Sequence, residues 1–279
     1  MSEQNKSILS VRELTLSIAS DGVVPKEVRY GSFDIYPGDF LLIRGRNGCG
    51  KSTLLRMLRL QGTNYFTVKS GEMIFHGEGF SEKSINKYTA EELTRLNRSV
   101  SFIGQEEQFL SSDSAYSYIY NVCRIALESN RSLSSAEKRA RLSAVDGMIY
   151  DYYEKYLSKS FDLATYKTFK RKNVRSWSGG QQKMINVLAG IIKTKAAELP
   201  LLVMDEPLNN LDGMNKFILN KLISELRCGG VAVMAITHCQ IFGGVNKLLT
   251  IEEGEDGIRR ATLSEGEVYA HGECLEAYG

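Results

Sequence analysis

Phe40-Leu41-Leu42-Ile43-Arg44-Gly45-Arg46-Asn47-Gly48-Cys49-Gly50-Lys51-Ser52-Thr53 is the stretch on which the fold turns. Its first residues form a short, nearly all-apolar run that stops at glycine, as a strand buried on both faces does. Helix formers follow from Lys51 to about residue 60, so the order is strand, glycine loop, helix. Inside that frame residues 45–52 fit the pattern G-x-x-x-x-G-K-[ST], in the context the pattern requires. Glycine lets the backbone approach an anion, and successive N–H groups at a helix start attract one. Lys51 can reach the β and γ phosphates of a nucleotide, and Ser52 can hold Mg²⁺. A glycine-rich turn without ligand is the bland alternative, and the flanking strand and helix speak against it.

Upstream, residues 8–16 alternate apolar and polar, and residues 28–35 do so more loosely, which predicts half-buried antiparallel strands. Pro37-Gly38-Asp39 makes a turn between them and the buried run. Downstream, residues 65–75 suggest two strands with a turn at 69–72, and Val100-Ser101-Phe102-Ile103 is a further core strand. Residues 106–176 then lose their β character and contain no proline, while Ala, Leu, Lys, Arg and Glu recur at helical spacing. Strand and helix alternate again beyond it: helix over 180–195, strand over 201–204, helix over 214–227, strand over 231–236. That alternation predicts a parallel sheet flanked by helices.

Composition sets bounds on partners. The chain has 279 residues, enough for one α/β domain with a large core. Lys and Arg number 35 against 33 Asp and Glu, so the summed field offers nucleic acid no strong attraction. Cys49, Cys123, Cys228, Cys239 and Cys274 show no zinc or disulfide spacing, which fits a reducing cytoplasm. The first residues lack the pattern of a signal peptide, and no apolar run reaches the roughly 18 to 20 residues a bilayer span needs. Spanning a membrane would fall to another chain.

Leu201-Leu202-Val203-Met204-Asp205-Glu206-Pro207 delivers two adjacent carboxylates to the C-terminal end of a buried strand, where open α/β sheets bind ligands. Asp205 suits a Mg²⁺ shell through water. Glu206, turned elsewhere by strand alternation, can polarise an attacking water. Trp177-Ser178-Gly179-Gly180-Gln181-Gln182-Lys183 opens a helix whose amides and hydroxyl can bind phosphate. Alone, Ser-Gly-Gly also reads as an ordinary capped helix start.

Taken in order, these motifs resemble the ATP-binding cassette (ABC) ATPases over nearly the whole chain, with Trp177 where the signature usually has leucine. Three further matches extend the resemblance: Gln105 as the Q-loop glutamine, Asn210-Leu211-Asp212 as the D-loop, and His238 as the switch histidine. As singletons these read as a surface amide, a helix N-cap and a strand-end histidine. The resemblance implies the ABC ATPase fold: an α/β P-loop core with a parallel sheet flanked by helices, an N-terminal antiparallel β subdomain and a helical insertion. It implies one domain over 1–279, with the core at 1–105 and 177–279 and the helical part at 106–176.

The resemblance also implies Mg²⁺ and ATP as ligands, with Gly45, Asn47, Gly48, Cys49, Gly50, Lys51, Ser52 and Thr53 around the phosphates. Ser52, Gln105 and Asp205 are the implied metal contacts; Glu206, His238 and Gln105 serve hydrolysis. Ser178, Gly179, Gly180, Gln181 and Asp212 would meet the nucleotide of a second ABC ATPase chain in a head-to-tail dimer. Permease subunits in the membrane are the implied partners, with this chain on the cytoplasmic face and no direct nucleic-acid contact. The alternative is a soluble ABC machine for assembly, defence or DNA-associated work. One departure stands out: where many members stack an aromatic ring on adenine, this chain has Ile18, with Tyr30 or Tyr36 as substitutes.

Overall fold

A computed structural model describes residues 6–20, 23–59, 65–77, 79–105, 109–110, 112–158, 165–237 and 242–268. In chain order the elements are β1 (Leu9–Ser20), β2 (Val23–Arg29), β3 (Phe33–Ile35), β4 (Phe40–Gly45), α1 (Lys51–Arg59) and β5 (Phe66–Phe75). Next come α2 (Ala90–Ser99), β6 (Val100–Ile103), α3 (Ala115–Ser129), α4 (Ser135–Tyr152), α5 (Tyr166–Arg171) and α6 (Gly179–Ala196). The chain ends with β7 (Leu201–Asp205), α7 (Gly213–Cys228), β8 (Ala232–Ile236), β9 (Val245–Glu253) and β10 (Arg259–Val268). By its internal contacts it divides into one unit of Met1–Ser99 with Arg227–Gly279 and a second of Val100–Leu226.

In the first unit, β1 pairs antiparallel with β2, β3 and β5. Alternation puts Leu9 and Val11 into the core, and after a bulge at Glu13 shifts the phase it puts Leu14 and Leu16 there, all four fully buried. The parallel part is built on β4, which lies between β8 and β9 and has Phe40, Leu41, Leu42 and Ile43 fully buried. Burial on both faces is what its unbroken apolar run demands. β10 closes back antiparallel on β9 and touches β2 in parallel at Arg259 and Arg260. The β4 entrance is fixed by Lys247, a buried cation paired with Asp39 at 3.0 Å and donating to the Asp34 carbonyl at 2.6 Å.

Two expectations are corrected here, and one helix is added. Residues 28–35 form two strands, because Gly31 takes φ 67° and breaks the run between β2 and β3. Residues 66–75 form one continuous strand, not a hairpin. Gly71 (φ 75°) sits in a bulge opposite Glu13 (φ 43°), where a Cβ would lie 2.2 Å from the Glu13 carbonyl oxygen. The region before β6 holds a helix, α2, that periodicity alone did not reveal. It starts with a reciprocal cap in which the Thr89 N–H donates to Glu92 at 2.7 Å and the Glu92 N–H to Thr89 Oγ1 at 3.3 Å.

In the second unit β6 and β7 run parallel, and α6 packs on β6 with most of its residues buried. Gly190 permits this approach: a Cβ there would meet Ile103 Cγ1 at 2.5 Å. Helices α3, α4 and α5 supply the expected helical segment, α3 and α4 each opened by a serine capping box. Its tyrosines mostly pack or bond locally, as Tyr116 does to Asp146 at 2.6 Å and Tyr118 to Asn186 at 2.9 Å. Tyr150 is the half-exposed member. Among the described residues no helix is long and apolar enough to cross a membrane.

Candidate active site

The glycine loop leaves β4 at Gly45 and enters α1 at Lys51. Gly45, Gly48 and Gly50 all have positive φ, at 147°, 71° and 114°. At Gly45 the space is also closed, since a Cβ would lie 2.5 Å from the Ile251 carbonyl oxygen. Asn47 and Gly48 are exposed at the loop crest, whereas Cys49, Gly50, Lys51 and Thr53 are buried and Ser52 is half-buried. Lys51 Nζ donates to the carbonyls of Gly45 at 2.8 Å and Arg46 at 3.1 Å, so the ammonium is held across the loop mouth. The result is a concave backbone with a fixed cation and a helix start, a combination suited to a polyphosphate.

Two buried side chains hold this loop from behind. Tyr30 donates from its hydroxyl to the Gly50 carbonyl at 2.8 Å, and Arg259 donates to the Gly48 carbonyl at 2.6 Å. Burial pushes the Tyr30 phenol far above its ordinary range. Tyr30 is 1 % exposed and bonded under the loop, so it cannot stack on a base as the sequence reading allowed. Tyr36 is excluded as well: it follows β3 and bonds to Asp39 at the start of β4, the end of that strand remote from the loop. Ile18 is half-buried on β1, opposite Lys26 on β2 and Phe66 on β5.

Apart from His238, the remaining predicted residues belong to the second unit. Asp205 ends β7 and is half-buried. Glu206 is buried, with φ 49°. Its direction therefore comes from a left-handed residue beyond the strand, not from strand alternation, which corrects the sequence argument. Non-glycine residues adopt that conformation rarely and at a cost of about 1–3 kcal/mol, a hallmark of positions where side-chain direction matters.

Ser178 caps α6 through a capping box: its N–H donates to Gln181 Oε1 at 3.1 Å and its Oγ accepts the Gln181 N–H at 3.4 Å. Ser178 and Gly179 are exposed, and Gly180 and Gln181 half-buried, so the helix start is open to an incoming group. Trp177 is 6 % exposed with the Lys172 ammonium 4.3 Å from its ring centroid, so it serves packing as a leucine would.

Lys183 was not singled out from the sequence, yet it ties this helix to Gln105. It is 2 % exposed and donates to the carbonyls of Gly104 and Gln105, each at 3.0 Å. A buried ammonium must find acceptors, and these two carbonyls supply them. Gln105 itself is exposed just past β6. Asp212 is exposed and caps α7, accepting the Asn215 N–H at 2.8 Å, so the helix-cap reading of this residue holds. His238 lies outside the described residues.

The donor set suits Mg²⁺. The Ser52 hydroxyl in the first unit and the Asp205 carboxylate in the second are each hard oxygen donors of the kind Mg²⁺ takes, an ion that binds few protein ligands and completes its shell with phosphate oxygens and water.

The model of the ABC transporter family matches residues 28–209. This chain belongs to the ABC transporter family. The match takes in the loop, Gln105, the Ser178 helix start and both carboxylates. The chain is 28% identical over 230 residues to an ABC transporter ATP-binding protein of Bacillus anthracis, covering 80% of this chain and 35% of that protein. It thus spans about a third of that relative's length. It is 27% identical over 262 residues to the energy-coupling factor transporter ATP-binding protein EcfA of Syntrophomonas wolfei, covering 94% of this chain and 79% of EcfA. The ATP-binding cassette MJ0796, solved as a dimer in a post-hydrolysis state with ADP and Pi, shares the fold with TM-score 0.63 and 20% identity. That match covers 92% of this ABC ATPase chain and 98% of MJ0796.

Proposed function

We propose that this ABC ATPase is the ATP-hydrolysing subunit of a transporter and works as a head-to-tail pair with a second cassette, enclosing two ATP molecules. The observation that carries the reading is the presence of two helix starts in one chain whose amides suit an anion. One, at Lys51, follows a loop shaped for phosphate; the other, at Ser178, is exposed and capped. A nucleotide held by the first loop of one chain and covered by the second helix of its partner satisfies both. That the MJ0796 cassette is a dimer in its complex with ADP and Pi supports a pair of chains.

Within each site Lys51 and the amides of 45–52 bind the β and γ phosphates; Ser52 and Asp205 would hold Mg²⁺, which would offset the phosphate charge. Glu206 orients the attacking water and accepts its proton as the water oxygen bonds the γ-phosphorus and ADP leaves; by the family resemblance Gln105 and His238 assist at the γ-phosphate. From the partner, Ser178, Gly179, Gly180 and Gln181 contact the γ-phosphate, and Asp212 crosses the interface. Loss of that phosphate removes the shared ligand and lets the chains part, so that nucleotide binding is converted into motion. Permease subunits carry the transport path, and the ATPase acts from the cytoplasmic face. Its relation to EcfA supports the transporter reading.

The test is capture of the Glu206→Gln chain under MgATP from gently solubilised membranes, followed by identification of what accompanies it. A multi-span membrane protein is the expected companion. A soluble companion alone would move the assignment to a machine that does not transport.

A further inference from the structure

We propose that Arg259 and Tyr30 are positioning residues of the nucleotide site, a two-point clamp that sets the phosphate loop by pinning its carbonyl oxygens outward. The inference rests on the ATP-binding reading of the 45–52 loop and adds residues that lie outside the loop motif. Arg259 opens β10 and Tyr30 follows β2, and the two strands meet side by side at Arg259 and Val28.

The argument is one of peptide geometry. A trans peptide unit is planar, so the C=O of one residue and the N–H of the next point in opposite directions. Arg259 holds the Gly48 carbonyl at 2.6 Å, which turns the Cys49 N–H the opposite way, where it closes the loop's own turn by donating to the Arg46 carbonyl at 3.2 Å. The Gly50 carbonyl is the first acceptor of α1, taking the Thr53 N–H at 3.1 Å and the Leu54 N–H at 3.2 Å, and Tyr30 adds a third bond to it at 2.8 Å, so the Lys51 N–H of the same peptide faces away from the helix. Either carbonyl rotated inward would set a negative dipole against a phosphate.

The clamp itself is rigid. Arg259 is 7 % exposed, and its Nε bonds Glu253 Oε2 at 3.2 Å, which fixes the guanidinium plane and leaves Nη1 for the loop. Glu253 is held below its usual carboxylate range by that bond first and by Lys26 second. Around Gly50 there is no slack: an added Cβ would meet Tyr30 Oη and Val28 Cγ2, each at 3.0 Å.

Because both contacts act on loop amides that serve ADP and ATP alike, they contribute uniform binding, which appears in KM and not in kcat. The test uses the full chain with MgATP and MgADP, in the variants Arg259→Met, Arg259→Lys and Tyr30→Phe. Arg259→Met keeps the aliphatic stem and is expected to weaken both nucleotides by about tenfold, the worth of one charged hydrogen bond. It should raise KM for ATP by the same factor with kcat within about twofold of wild type. Arg259→Lys restores part of the loss. Tyr30→Phe, which removes one hydroxyl and keeps the buried ring, weakens both nucleotides by about threefold.

Wild-type affinity in both Arg259→Met and Tyr30→Phe overturns the clamp. So does a loss that follows a lowered melting temperature and is not recovered by Arg259→Lys. Should Arg259→Met not fold, Tyr30→Phe decides alone. If the wild-type chain binds no MgATP, it is the reading of the loop that fails, and the clamp with it.

Discussion

Gly180 stands against Asn210: a Cβ on Gly180 would lie 2.7 Å from the Asn210 carbonyl oxygen. Asn210 holds φ 62°, a conformation that asparagine tolerates better than most residues. The start of the signature helix and the loop after Glu206 are therefore in backbone contact within one unit. Gly180→Ala should force one of them to shift, at a cost of about 1–3 kcal/mol in stability, with turnover falling more than nucleotide affinity. Melting curves and steady-state ATPase assays on the same preparation check both parts.

Lys51 reaches two loop carbonyls, which presets its ammonium where phosphate charge would arrive. Lys51→Ala removes the cation and is expected to weaken MgATP by about tenfold to a hundredfold, as for a charge-assisted contact worth about 1.5–3 kcal/mol. Titration calorimetry measures this directly, and undiminished affinity would remove Lys51 from the phosphate site.

Glu206 is buried and carried by a left-handed residue, so its carboxyl direction is set by backbone rather than by rotamer choice alone. Glu206→Gln keeps the shape and removes the base. Phosphate release should drop by about a hundredfold or more while ATP stays bound and the chain elutes as a dimer. Turnover near the wild-type rate would show that another group takes the proton.

What the sequence discloses here follows from how local each signal is. The β4–loop–α1 unit was legible because an apolar run, three glycines and a helix start lie within a few residues. The strand end that carries Asp205 and Glu206 was legible for the same reason, but the left-handed φ of Glu206 leaves no mark in composition. Gly71 was misread as a turn, since its partner in the bulge, Glu13, lies far away in sequence. Tyr30 was offered as a base-stacking ring because its depth depends on strands on either side of it. Arg259 gave no signal: in sequence it is one basic residue of an alternating strand, and its contact with Gly48 spans 211 positions.

Acid should reach α2 through its cap. The Thr89 N–H first, and Lys83 second, hold the Glu92 carboxyl at about 2 against an ordinary 4.5. A carboxylate lowered in the folded state contributes its full stability above the unfolded value and loses it as pH falls toward the folded one. The contribution of Glu92 is thus complete above pH 4.5 and absent near pH 2. Melting temperatures of wild type and Glu92→Gln should differ at neutral pH and converge across that interval. A gap that stays constant down to pH 2 would detach Glu92 from the cap.

Ile18 occupies the position that faces adenine by the family resemblance, half-buried on β1 with Phe66 across from it. An aliphatic side chain covers a base but lacks the stacking contribution, worth about 0.5–1.5 kcal/mol for an aromatic pair. Ile18→Tyr should therefore tighten ATP by about twofold to tenfold and leave inorganic triphosphate unaffected. The paired measurement separates base from phosphate, because a better loop would improve both ligands and a better base platform only one. Equal affinities of wild type and variant for ATP would place adenine elsewhere on the first unit.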